Sequence, residues 1–228
     1  MLLWYHFPVS KILFLFNLMA VLLTGCKEEE VLVTPKPATG TLFDQRDSVT
    51  YTTVYINGRW WMSENMNYGK TIDSKSGGDN EDGLPSDNGI PEKYCYGDNL
   101  QNCDIYGGLY TWDEMMNYTT TESGEGICPA GWKVPSKADW ESLTSAFPSS
   151  LELLGNGTSG FNGQLGGNKY DILYGNLGVL GAYWSSSGNQ SSYAYYLLLN
   201  NSSKRPIIQQ ELKVRAFSVR CVKDSIPK

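Results

Sequence analysis

Apolar residues in this chain fall into short runs that favour a domain rich in β-strands. Residues 49–56 are rich in Thr, Tyr and Val, and Asn57-Gly58 separates them from the run Arg-Trp-Trp-Met at residues 59–62. Two strand-like runs joined by Asn-Gly predict a β-hairpin with a two-residue turn. Further strands are predicted at residues 106–111, 183–186, 193–199 and 217–222.

Helical periodicity is confined to two short segments. Ser136 and Asp139 have the spacing of a capping box, and the apolar residues that follow them recur on one face, which predicts a helix over about residues 137–147. A second short helix is predicted at residues 112–118, and a long surface loop at residues 69–91. Because strands and helices do not alternate as βαβ units, we predict an α+β domain with antiparallel sheets, two short helices and long loops.

The N-terminal residues have the pattern of a lipoprotein signal peptide. Lys11 precedes an apolar run from Ile12 to Leu23, which is shorter than the roughly 20 residues that a membrane-spanning helix needs. Leu-Thr-Gly-Cys at residues 23–26 resembles the bacterial lipobox, in which the cysteine carries the acyl chains. We therefore predict a signal peptide at residues 1–25, acylation of Cys26, and attachment to a membrane through that lipid.

Residues 26–45 are predicted to form a flexible tether, and residues 46–228 the folded domain. Lys27-Glu28-Glu29-Glu30 resembles the short acidic signal that directs lipoproteins of Bacteroidetes-type bacteria to the outer face of the outer membrane. We expect an outer-membrane protein exposed at the cell surface. The alternative is that these charges only solvate a linker.

Composition excludes several classes of function. The single histidine, His6, lies inside the predicted signal peptide, which argues against imidazole catalysis and histidine metal sites. The 18 basic and 24 acidic residues are evenly mixed, so the chain lacks the clustered basic residues that nucleic-acid binding needs. We expect a non-enzymatic protein that does not bind nucleic acid.

The cysteines predict two disulfides. With Cys26 acylated, four of the five cysteines remain, and four cysteines allow three pairings. We choose Cys95 with Cys103, because the eight-residue separation suits a local loop, and Cys128 with Cys221, which encloses most of the domain. Paired cysteines cannot act as nucleophiles or metal ligands.

Six stretches, in this order, resemble the Fibrobacter succinogenes major paralogous domain, a family of secreted proteins and lipoproteins. The resemblance covers about residues 50–224 and implies a C-type lectin-like fold, shared with formylglycine-generating enzymes. The stretches are Gly58 to Tyr68, Tyr106 to Trp112, Cys128 to Ser136, Gly160 to Gly167, Tyr183 to Ser186 and Phe217 to Val222.

The chemistry of those better-known folds does not carry over. Formylglycine-generating enzymes use a pair of active-site cysteines, and none is left once both disulfides are drawn. The calcium-dependent sugar site of C-type lectins uses Glu-Pro-Asn or Gln-Pro-Asp, and neither triplet occurs in this chain. The resemblance therefore implies a fold rather than an activity.

Two candidate sites remain. Most of the tryptophans and tyrosines are expected in the core, but Tyr193, Tyr195, Asn176 and Asn189 combine rings with amides, as a sugar site requires. A second site is the loop Asp79-Asn80-Glu81-Asp82, which has the oxygen ligands of a Ca²⁺ site, although its spacing fits no EF-hand and a solvated acidic loop is the better explanation. We expect no other cofactor.

We expect the domain to bind a glycan or a protein partner at the cell surface. An alternative is a structural or accessory (tip) subunit of a surface fimbria or adhesive assembly. A weaker alternative is a carboxylate-dependent, glycan-active enzyme, which needs two carboxyl groups opposed across a cleft.

Overall fold

A computed structural model describes residues 37–75, 84–189, 192–201 and 205–225. Over these ranges the chain has the predicted α+β class, with four short α-helices and sheets in which every strand pair except β4 with β5 is antiparallel. The strands are β1 Thr39–Asp44, β2 Val49–Ile56, β3 Arg59–Met62, β4 Lys70–Ile72, β5 Glu92–Tyr94, β6 Asn168–Tyr170, β7 Leu173–Gly175, β8 Leu180–Gly188, β9 Tyr193–Asn200, β10 Ile207–Leu212 and β11 Val222–Asp224. The helices are α1 Leu100–Tyr106, α2 Trp112–Met115, α3 Lys137–Ala146 and α4 Ser150–Leu153.

The first sheet has the order β1-β2-β3-β11 and contains the predicted hairpin. Asn57 and Gly58 both have positive φ, 47° and 82°, as the central residues of a type I′ turn require. The turn fixes the register, so that Ile56 faces Arg59 and Tyr55 faces Trp60. The last strand of the described residues, β11, then pairs with β3.

The folded domain begins earlier than the predicted boundary at residue 46. Residues 39–44 form β1, which pairs with the whole length of β2. Leu42 of this strand is buried in the core, and the buried Asp44 carboxylate forms an ion pair with Arg46 at 2.6 Å. The predicted tether at residues 26–45 was therefore too long at its C-terminal end.

The second sheet, with the order β10-β9-β8, separates two groups of core residues. Alternate residues of a strand point to opposite faces. Trp184 and Tyr196 pack in one group with Phe217, whereas Tyr183 and Leu197 pack in the other. Helix α3 covers this second face with Trp140 and Leu143.

The sequence prediction was right about α3 and incomplete about the other helices. Both bonds of the capping box are formed: Asp139 N–H donates to Ser136 Oγ at 3.2 Å, and Ser136 N–H donates to Asp139 Oδ2 at 2.8 Å. Helix α2 ends at Met115, sooner than predicted, because Asn117 and Tyr118 both have positive φ. Helices α1 and α4 were not predicted.

Two of the predicted strands are not regular strands. Tyr106 ends α1, and residues 107–111 and 217–221 pair only through isolated bridges, among them Tyr110 with Phe217. Of the second stretch, only Val222 belongs to a strand, β11. Gly107 explains the first case, because its φ of 75° ends α1 and a Cβ atom there would lie 2.6 Å from Asn65 Cβ. The chain crosses the core here instead of extending a sheet.

Both predicted disulfides are present. Cys95 and Cys103 clamp the segment that begins α1, with their Cα atoms 5.0 Å apart. Cys128 and Cys221 join residues 93 positions apart and are completely buried.

Arg220, next to Cys221, is completely buried and donates only to neutral acceptors in the described part of the chain. Its Nε donates to Asn65 Oδ1 at 2.7 Å, and its Nη1 to the Met62 carbonyl at 2.9 Å. It also donates to the carbonyls of Phe161 and Asn162, and its guanidinium lies 4.5 Å from the centre of the Phe161 ring. Burial lowers the Arg220 pKa to about 10.

The two disulfides should contribute unequally to stability. On the loop-entropy model, the bridge that closes eight residues is worth about 2–3 kcal/mol and the bridge that closes 93 residues about 4–5 kcal/mol. We expect Cys128→Ser to lower the free energy of unfolding in urea by more than Cys103→Ser does, by about 2 kcal/mol. Equal, small losses would contradict this ranking.

Candidate ligand-binding site

The structure separates the four residues that the sequence suggested for a sugar site. Asn176 accepts a hydrogen bond from the Leu180 N–H, at the start of β8, whereas Asn189 follows Gly188 at the end of the same strand. Eight residue steps along a strand span about 26 Å. Asn176 therefore cannot share a small-molecule site with Asn189.

The other three residues lie near the turn between β8 and β9. The Asn189 N–H donates to the Tyr193 carbonyl at 3.2 Å, and the Tyr193 side chain is 44% exposed. Tyr195 is partly covered, because Lys137 Nζ lies 5.2 Å from the centre of its ring. Near this turn, only the Tyr193 ring is well exposed beside Asn189. The sequence prediction required two rings and two amides in one site.

A more extensive aromatic surface crosses the first sheet. Tyr55 and Trp60 are direct partners in the β2–β3 ladder, and their ring centres are 5.3 Å apart. On the other side of Trp60, its direct partner in β11 is Lys223. Side chains that are direct cross-strand partners lie on the same face of a sheet.

Trp132 continues this line beyond β11. Lys133 and Val222 exchange both backbone hydrogen bonds as an isolated antiparallel bridge, so that Trp132 lies beside Lys223. We call Tyr55, Trp60, Lys223 and Trp132 the aromatic row. Tyr55 is 38% exposed, whereas Trp132 is only 8% exposed. The Tyr55 end of the row is therefore an exposed surface, and Trp132 forms part of the wall of a cleft.

The cleft at this end of the row has a volume of about 460 Å³. Trp132 and Lys223 line it, and Ser123, Glu125 and Asp224 add hydroxyl and carboxylate oxygens. A ring beside hydrogen-bonding groups is the arrangement that sugar recognition needs, because a sugar ring has an apolar face and hydroxyl groups at its edge.

Four charged side chains on the other face of the sheet neutralise each other. Asp224 forms ion pairs with Arg59 and Lys133, both at 2.8 Å. The buried Asp139 carboxylate also contacts Arg59, at 2.9 Å. The hydrogen bond from Lys133, with that from Arg59, holds the pKa of Asp224 below its usual value of 3.8 despite some opposing desolvation.

One local pattern in the sequence predicts part of the aromatic row. The Asn-Gly turn at residues 57–58 fixes the hairpin register, which places Tyr55 opposite Trp60. Lys223 and Trp132 are far away in sequence, and no local pattern indicates that β11 lies between β3 and residues 131–134.

Two buried glutamates bear on the enzyme alternative. Glu114 accepts hydrogen bonds from the Glu92 N–H and the Tyr118 hydroxyl, both at 2.7 Å, and burial raises its pKa. Glu92 is completely buried, and its Oε2 has no hydrogen-bond partner among the described residues. Neither carboxyl group lines the cleft at Trp132.

A buried lysine lies near a second, smaller cleft. Lys93 Nζ donates to the Asn67 carbonyl and to Asn67 Oδ1, the latter at 2.7 Å, and burial lowers the Lys93 pKa to about 8. Asn67 and Tyr51 line the adjacent cleft of about 160 Å³. The Tyr51 hydroxyl itself accepts a hydrogen bond from the Asn67 N–H.

Several predicted features lie outside the described residues. These are the signal peptide, the acylated Cys26 and the Ca²⁺ loop Asp79-Asn80-Glu81-Asp82. The described ranges contain no group of three or more His, Cys, Asp or Glu side chains placed to hold a metal ion. In the same ranges, no helix has both the length and the apolar character needed to cross a bilayer.

We expect the Asp224 ion pairs to make stability depend on pH in the acid range. A carboxylate whose pKa is lowered by folding contributes stability above its unfolded pKa, and this contribution is lost as the pH falls through the folded value. Asp224→Asn should lower the Tm at pH 7 by about 1–3 °C, because the pairs are partly exposed. The difference from wild type should close below pH 3.8. Asp171→Asn is the matched control, and a difference that persists at low pH would contradict this prediction.

Comparison with known proteins gives one result. Neither the curated proteins nor the solved structures include a significant match to this chain. A family model described as the Fibrobacter succinogenes major domain matches residues 54–223. That match spans most of the described domain, from β2 to β11, and includes all four members of the aromatic row. The chain therefore belongs to the Fibrobacter succinogenes major domain family.

Proposed function

We propose that this protein is a surface-anchored lipoprotein whose domain binds a glycan at the aromatic row. The observation that carries the proposal is the pairing of Tyr55 and Trp60, two neighbouring rings at the surface of the first sheet. The cleft at Trp132 extends the same surface and adds polar groups. The role is one of binding rather than catalysis.

The environment of the two rings supports stacking on a sugar. Trp60 lies across Gly40 of β1, where a Cβ atom would be only 3.2 Å from its Cζ3 atom. The Tyr55 hydroxyl is 3.2 Å from Ser225 Oγ, which keeps a polar group at the edge of the platform. The Tyr55–Trp60 ring pair is therefore held by its neighbours before a ligand binds, which lowers the entropy cost of binding.

We also propose that the domain has a C-type lectin-like fold. Membership of the family, the antiparallel sheets and the helix α3 packed on the second sheet support this. The lipobox-like sequence at residues 23–26 and the acidic run after it support attachment to the outer membrane. Because fold alone does not determine function, the binding proposal depends on the aromatic row.

A glycan array with the full-length protein tests the proposal. The protein is held in a detergent without a sugar headgroup, and the array is read with Ca²⁺ and again with a chelator. We expect specific binding by the wild type. If no glycan binds in either condition, the proposal fails and the structural or accessory role in a surface assembly becomes the better explanation.

Truncation of the row should remove binding. We expect Trp60→Ala to weaken the interaction with an array-selected glycan by at least about tenfold, since a central aromatic contact is typically worth more than 1 kcal/mol. Because Trp60 also packs against the core, the more exposed Tyr55→Ala serves as a second variant, with urea unfolding as the check on folding. Tyr193→Ala is the matched control. Loss of binding in the control alone would move the site to the turn between β8 and β9.

Anchoring has its own test. We expect Cys26→Ala to prevent acylation and to move the protein from the membrane fraction to the soluble fraction, because lipid chains supply the membrane affinity. Surface exposure is measured by digestion of intact cells with a protease. If the variant stays in the membrane fraction, the lipobox assignment is wrong.

A further inference from the structure

The aromatic row has the shape of a site for a chain of sugars rather than for a single terminal sugar. Its members come from β2, β3, β11 and the segment at residue 132, which lie side by side. Neighbouring strands are about 4.8 Å apart, so the row is about 15 Å long. One end of the row is the exposed ring of Tyr55, and the other end is an open cleft. A longer sugar chain can therefore extend past Tyr55 without steric obstruction.

Lys223 gives this row a charge at its centre. It lies between Trp60 and Trp132, and its side chain is exposed. Among the described residues it forms no ion pair, and its ammonium group does not lie over either neighbouring ring.

On the opposite face of the same strands, the basic side chains differ from Lys223 because each of them is paired with a carboxylate. There, Arg59 and Lys133 are paired with Asp139 and Asp224. These four charges cancel, so they do not compensate Lys223. Glu125 and Asp224 are the exposed carboxylates of the cleft beyond Trp132. Asp224 is already paired with Arg59 and Lys133, whereas Glu125 suits a hydroxyl donor and disfavours an anionic group.

From this arrangement we infer that the row binds an internal stretch of a linear, uronate-containing polysaccharide, with one sugar carboxylate paired to Lys223 between the rings of Trp60 and Trp132. The inference rests on the proposed function and specifies its ligand class. A neutral sugar would leave the Lys223 ammonium without a charged partner, whereas a carboxylate adds a charge-assisted hydrogen bond at the centre of the stacked sugars.

The experiment measures calorimetric binding of oligomers of galacturonate and of hyaluronate to the full-length protein. Each acid probe is compared with its methyl ester, which keeps the sugar chain and removes the charge. We expect at least one acid probe to bind about tenfold more tightly than its ester, as one charge-assisted hydrogen bond allows, and to lose affinity as salt is raised. Tetramers and longer chains should bind, and single sugars should not.

Lys223→Gln should abolish the preference for that acid over its ester, and Lys75→Gln, at an exposed lysine outside the row, should keep it. Equal binding of acid and ester by the wild type, or an acid preference that survives Lys223→Gln, overturns the inference. Failure of both acid probes to bind overturns it as well. In each of these cases, a neutral glycan from the array that still requires Trp60 leaves the proposed function standing.

Discussion

The buried guanidinium of Arg220 is the interaction on which the rest of this domain depends. A charged group without water needs its hydrogen bonds supplied by the protein, and here the acceptors are carbonyl and amide oxygens from β3, from Asn65 and from residues 161–162. Residues 62–65, residues 161–162 and Arg220 itself are far apart in sequence. Because the first two supply acceptors to the planar group of the third, they are fixed relative to one another and to the disulfide at Cys221.

The position of the aromatic row follows from that constraint. Arg220 and Cys221 lead directly into β11, which pairs with β3 on one side and contacts Lys133 on the other. Lys223 reaches the space between two tryptophans only because this strand is inserted there. The core and the candidate ligand surface therefore both depend on Arg220. A substitution of Arg220 would displace Lys223 through β11, without a direct contact between the two side chains.

Local chemistry made some of the structure predictable. The Asn57-Gly58 turn and the capping box of Ser136 each have a strong preference for one backbone geometry, and both were predicted correctly. Strand β1 was missed because its stability comes from pairing with β2, which no pattern within residues 39–44 reveals. The aromatic row was missed for a similar reason, because Trp60, Lys223 and Trp132 meet only through contacts between segments that are distant in sequence. Conversely, Asn176 and Asn189 are similar in sequence context, yet they lie at opposite ends of β8.

The long disulfide has a consequence for how the chain acquires its structure during synthesis. Residues 220–224 supply the guanidinium, the second cysteine and the strand that completes the first sheet, yet they follow nearly all of the other elements of the domain in sequence. The hairpin of β2 and β3 can form early, but it lacks its neighbour until residues 222–224 have been synthesised. Completion of the fold is therefore delayed until residues 220–224 leave the ribosome, and a chain truncated before residue 220 lacks the guanidinium, the disulfide and the strand β11 together.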